Sequence, residues 1–138
     1  MLRNAARGMP LRAAASLALV ATVLAGCGGS GARSIEVRMR YSRYLPATIA
    51  VKAGTTVEFV LVNADPIAHE FIIGTAAEQA AHELAPATTK HTGPGQASIP
   101  ADTTVRMTYT FAKAGSLIYA CHRRDHYAYG MRGLVTAT

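Results

Sequence analysis

Near the C-terminal end the chain reads Tyr119-Ala120-Cys121-His122-Arg123-Arg124-Asp125-His126-Tyr127-Ala128-Tyr129-Gly130-Met131. A thiol, an imidazole and a thioether stand there at the spacing C-x4-H-x4-M. Soft sulfur together with imidazole is ligand chemistry that suits copper. One thiolate and two imidazoles in a trigonal plane, with a weak axial thioether, hold that metal in a geometry fit for passing single electrons. The segment supplies three of the four groups, so a second imidazole has to come from elsewhere.

Four histidines are available besides His126: His69, His82, His91 and His122. His122 follows the thiol directly, and extended backbone turns its side chain to the opposite face. His82 and His91 belong to a helix-and-loop region. His69 heads an apolar strand just after the turn-rich Asn63-Ala64-Asp65-Pro66, at an end of the sheet that a distant loop can reach. Geometry therefore favours His69. The other three are expected to be solvated surface histidines, the functional alternative being an auxiliary copper-capture site.

The elements that must position these groups are short strands. Ser34 to Tyr41 alternates, with Ile35, Val37, Met39 and Tyr41 on one face. Ile49 and Val51 face inward between Ala47 and Lys52, and Ala53-Gly54 turns the chain. Thr55 to Asn63 places Val57, Phe59 and Leu61 on one face and Val60 and Val62 on the other, a pattern of burial on both sides. His69, Phe71 and Ile73 share a face of the next strand. Ala76 to Leu84 is rich in Ala, Glu and Gln and reads as a helix that Pro86 limits. Ala87 to Gly95 reads as a surface loop. Gln96 to Ile99, Thr104 to Phe111, Ser116 to Cys121 and Arg132 to Ala137 complete the set. Seven or eight short strands with one short helical insertion predict an all-β, antiparallel Greek-key β-sandwich.

The first 26 residues read differently. Arg3, Arg7 and Arg12 precede an apolar run from Ala13 to Ala25, too short to span a bilayer and typical of an export signal. The run ends in Leu24-Ala25-Gly26-Cys27, which resembles the lipobox of bacterial lipoproteins. That resemblance implies cleavage before Cys27 and lipid on its sulfur, with residues 27–33 as a glycine-rich tether and 34–138 as one domain. The chain is expected to be exported and lipid-anchored, at the outer face of the cell membrane or in the periplasm. Cys121 is then a lone thiol in an oxidising compartment, where a metal would protect it. Beyond the signal, eleven basic residues stand against eight acidic ones. That excess is modest and dispersed, and argues for no nucleic-acid partner.

Taken together, residues 34–138 resemble a small cupredoxin, the family of plastocyanin and azurin. Phe59-Val60-Leu61-Val62-Asn63 followed by His69-Glu70-Phe71 resembles that family's strand, loop and first histidine. Cys121-x4-His126-x4-Met131 resembles its ligand loop, and Tyr119 fits two residues before the cysteine. The resemblance implies one type 1 copper, with His69, Cys121 and His126 equatorial and Met131 axial. Many family members carry Pro-Gly before the loop histidine; here Arg124-Asp125 implies a more hydrated and mobile loop.

Two functions use the same ligands. The first is single-electron transfer to a redox partner at the cell envelope. The second is copper carriage to an accepting protein. No enzyme is expected. A multicopper oxidase needs paired H-x-H motifs, and Ala120 stands where it would have a histidine. A cysteine-hydrolase reading of Cys121 lacks an oxyanion or orienting motif.

Overall fold

The computed structural model describes residues 33–84 and 91–138. Cys27, its tether and the apolar leader lie outside the described residues. The strands are β1 (Arg33–Met39), β2 (Tyr44–Leu45), β3 (Thr48–Val51), β4 (Thr55–Asn63), β5 (His69–Gly74), β6 (Thr92–Gly93), β7 (Gln96–Ile99), β8 (Thr104–Phe111), β9 (Gly115–Ala120) and β10 (Arg132–Ala137). One helix, α1 (Ala76–Glu83), interrupts them after β5. Two of the strands are only two residues long. The rest are the eight that alternation marks out.

The strands form two packed sheets, ordered β2-β1-β4-β8 and β3-β10-β9-β5-β7-β6. Val37, Met39, Val57, Phe59 and Leu61 from the first sheet meet Phe71, Ile99, Tyr119 and Val135 from the second, all nearly or wholly buried. Each such side chain contributes about 1.5–3 kcal/mol by leaving water. Val60 and Val62 are half-buried, so β4 has one fully dry face rather than two.

The sheets are mixed rather than purely antiparallel. β1 pairs with β4, and β3 with β10, in parallel. The cause is the crossing between sheets. β3 lies in the second sheet, and the chain returns at Gly54 (φ 78°) to run β4 beside β1 in the same direction.

Tyr41 departs from its expected inward face and is 77% exposed. β1 has already ended, and Tyr41 and Ser42 adopt positive φ of 53° and 51°. Their amides are turned toward Asp65, where they are used.

β9 lies between β10 and β5, antiparallel to both, with Ile72 opposite Ala120. This pairing brings the start of β5 and the end of β9 to one end of the sandwich. Helix α1 is held there by a reciprocal Thr75–Glu78 capping box and by the buried Gln79 amide, which donates to the carbonyls of Ile72 and Ile118. Among the described residues no helix is long and apolar enough to cross a membrane.

Candidate metal centre

Cys121 follows the last residue of β9, and a closed loop carries the chain from it to Met131. The Cys121 N–H donates to the Met131 carbonyl at 3.2 Å, and the Met131 N–H to the His126 carbonyl at 2.9 Å. The His126 N–H donates in turn to Arg123 O at 2.9 Å. Asp125 (φ 66°) and Gly130 (φ 89°) make the turns. Asp125 thus takes a left-handed conformation that aspartate tolerates better than most side chains. Arg124 and Asp125 are both exposed, as their charge requires.

His69, the first residue of β5, is fully buried. Its Nε2 lies 2.9 Å from Asp65 Oδ2. Asp65 also accepts the N–H groups of Tyr41 (2.7 Å) and Ser42 (2.8 Å). Asn63 organises the loop beneath, accepting the Asp65 N–H at 3.0 Å and donating to the carbonyls of Ile67 and Pro100. Burial works to raise the Asp65 pKa, yet the Ser42 amide, the His69 ring and the Tyr41 amide hold it below the ordinary carboxylate value. A carboxylate at Nε2 keeps the proton there and leaves the His69 Nδ1 as a bare lone pair.

That lone pair meets the other two groups. His69 Nδ1 and His126 Nδ1 are 3.3 Å apart, and His126 Nδ1 is 3.3 Å from Cys121 Sγ. One ligand atom from each of the three residues falls within 4.8 Å of the others. The sulfur also accepts the Glu70 N–H at 3.3 Å. Burial raises the Cys121 thiol to about 11, against the opposing pull of the Arg123 and Glu70 amides. Burial, then the neighbouring His69 and Arg123, push the His126 imidazole below its ordinary value. Two imidazoles and a thiol therefore converge on one point. Such a donor set fits a soft cation that displaces the thiol proton.

Met131 is fully buried, and its backbone is bonded to both Cys121 and His126.

The Cupredoxin-like domain family matches residues 13–136. The chain belongs to the cupredoxin-like family. Copper is the metal that this membership and the donor set imply. Curated relatives agree. The cupredoxin is 37% identical to the copper-resistant cuproprotein CopI of Rubrivivax gelatinosus, over 80% of this chain and 69% of that one. It is 32% identical to CopI of Pseudomonas aeruginosa over 75% of each chain. Among solved structures it is similar to auracyanin B, with a TM-score of 0.68 and 22% identity over 78% of this chain and 89% of that one. It also resembles Chloroflexus aurantiacus auracyanin A, a "blue" copper protein, with a TM-score of 0.64 and 22% identity over 78% of this chain and all of that one.

Several residues that shape the centre of this cupredoxin escape a reading of spacing alone. Asp65 is one, and its signal was the D-x3-H interval inside a turn-rich loop. Tyr44 is another: its buried hydroxyl donates to the Glu70 carbonyl and its ring packs edge-on against Phe71 and Tyr119. The expectation of three solvated histidines is corrected in part. His91 is only 6% exposed and the His122 side chain only 2%. His82 is half-buried between them. Burial follows because α1 folds back over the end of β9, a contact set by Gln79 and invisible in the local pattern.

Proposed function

We propose that this cupredoxin holds a type 1 copper on His69, Cys121 and His126, with Met131 as axial ligand, and carries single electrons at the cell envelope. The observation that carries the reading is the convergence of donor atoms from His69, Cys121 and His126, the first two residues buried and held by Asp65 and the Glu70 amide. A site shaped before metal arrives changes little between oxidation states, so reorganisation on electron transfer is small. Bound copper supplies the Cu(I)/Cu(II) couple. The Cys121 sulfur offers the covalent route for the electron, and the Glu70 amide at 3.3 Å tunes its charge. Asp65 holds His69 in one tautomer. His126 is only partly covered and is the port for exchange with a redox partner, beside the 73% exposed Tyr129. The lipobox at Leu24–Cys27 would keep the protein exported and tethered to a membrane by lipid.

A second reading, copper carriage to an accepting protein, rests on the relatives, which are named for copper resistance. The two readings separate by experiment. Cu(II) added to the purified metal-free protein should give an intense thiolate-to-copper band that Cys121→Ser abolishes. Electron self-exchange should then far outpace exchange of the metal with a chelator. A colourless complex, or metal exchange faster than electron exchange, would overturn electron transfer in favour of carriage.

A further inference from the structure

Alternation along two strands sends neighbouring side chains to opposite sides. His69 and Cys121 face the centre described above. Their chain neighbours Glu70 and His122 meet each other on the other side, where the His122 N–H donates to Glu70 Oε2 at 3.3 Å. Two more histidines gather there. The His82 ring, from α1, stacks on His122 with centroids 5.4 Å apart and meets His91 edge-on at 5.1 Å. Tyr127 covers the outer face of His122 at 5.0 Å.

We propose that His82, His91 and His122, with Glu70 beside them, form a second metal site that takes Cu(II), joined to the first through the Cys121–His122 peptide.

Four observations support it. The ligand types are right: three imidazoles and a carboxylate suit a tetragonal Cu(II). The outer partners are in place. His91 Nδ1 faces Gln96 Oε1 at 3.3 Å, which leaves Nε2 directed toward Glu70 at 3.9 Å. His122 Nδ1 faces Glu83 Oε1 at 2.5 Å, the outer carboxylate arrangement common to metal-bound histidines. The charge is right as well. Glu70 is buried, and among the described residues the His122 amide, His91 and the Arg123 guanidinium at 3.8 Å answer it. His122 Nε2 faces the Gln79 side-chain Oε1 at 2.6 Å, a contact that a bound metal would have to displace. Finally, the three rings are contiguous, His82 lying against both His91 and His122. In the metal-free packing the rings are stacked on one another. Metal entry turns them and replaces the His122–Gln79 contact, while Glu83 keeps its hold on Nδ1.

The site shares no ligand with the first, although it goes beyond a reading in which the first binds copper. Metal-free protein is loaded with Cu(II), desalted, and its copper counted while electron paramagnetic resonance is recorded. Two coppers per chain are expected. His82→Ala/His91→Ala should hold one and keep the thiolate band. Cys121→Ser should hold one, colourless, with a tetragonal nitrogen–oxygen signal. Should the double variant lose its circular dichroism, His82→Gln on the half-buried helix face serves instead, with at least tenfold weaker binding of the second ion. One copper per wild-type chain beside an intact thiolate band overturns this site and spares the first. So does a second copper that survives both sets of substitutions. A His82/His91-dependent copper without any thiolate band overturns the first site and leaves this one standing.

Discussion

Asp65 decides more than its place in a surface-facing loop suggests. It joins three separate stretches: the turn at Tyr41 and Ser42, its own loop, and the ring of His69. Replacing it by Asn conserves shape, but the Tyr41 N–H goes to Oδ1 and the Ser42 N–H to Oδ2, so the amide oxygen keeps only one of the two. With its nitrogen in the Oδ2 place the amide would donate to His69 Nε2 and drive the imidazole proton onto Nδ1, the atom proposed to bind copper. Asp65→Asn should therefore lower stability by about 1–3 kcal/mol for the backbone donor it leaves unpaired, and weaken Cu(II) binding by about 10–100-fold, the usual scale for outer partners of a metal-bound histidine. Competition against a chelator of known affinity measures it. An unchanged affinity would mean that the tautomer is fixed in some other way.

Between elements, the tightest fit is that of β9 on β10. Gly133 stands opposite Tyr119, whose ring lies where any Cβ at that position would be, and the Tyr119 hydroxyl reaches the Pro46 carbonyl at 2.7 Å. Gly133→Ala must displace either the ring or the strand, and should cost about 1–3 kcal/mol, read from denaturant unfolding. A neutral effect would show the Tyr119 ring free to move. At this scale the sequence was largely legible. Period-two runs such as Val57-x-Phe59-x-Leu61 and Leu117-x-Tyr119-x-Cys121 carry their own burial pattern, and the loop from Cys121 to Met131 carries its candidate ligands at a fixed spacing. What stayed hidden depends on partners distant in the chain. The parallel pairing of β1 with β4 depends on which sheet β3 joins. The burial of His91 and His122 depends on α1 folding back, and the outward turn of Tyr41 depends on a carboxylate 24 residues away.

The whole molecule should report its ionisable core through pH. His126 and His82 titrate below their ordinary 6.5 in the folded chain, for each chiefly because of burial. Protons therefore bind the unfolded chain first. The stability these groups contribute is complete above about 6.5 and is lost as pH falls through their lowered values. Cys121 runs the other way. Its thiol is raised from 9.0 to about 11, so its contribution is complete below 9 and is lost as pH rises toward 11. The metal-free protein should show a plateau of Tm between roughly pH 6.5 and 9, declining on both sides. A Tm that climbs on acidification would contradict the buried, neutral state of these imidazoles.

His69 and His126 lie 57 residues apart in the chain, and their Nδ1 atoms are 3.3 Å apart. An ion held by both fastens the start of one strand to a loop near the end of the molecule, much as a clasp closes a long ribbon. Ordering that separation is an entropic cost which the metal-free fold carries unaided. Once copper is bound, unfolding has to release the ion as well, so binding adds its own free energy to that of the fold. The persistence of the folded chain thereby becomes a gauge of metal supply: scarce copper leaves the clasp undone and the sandwich easier to open.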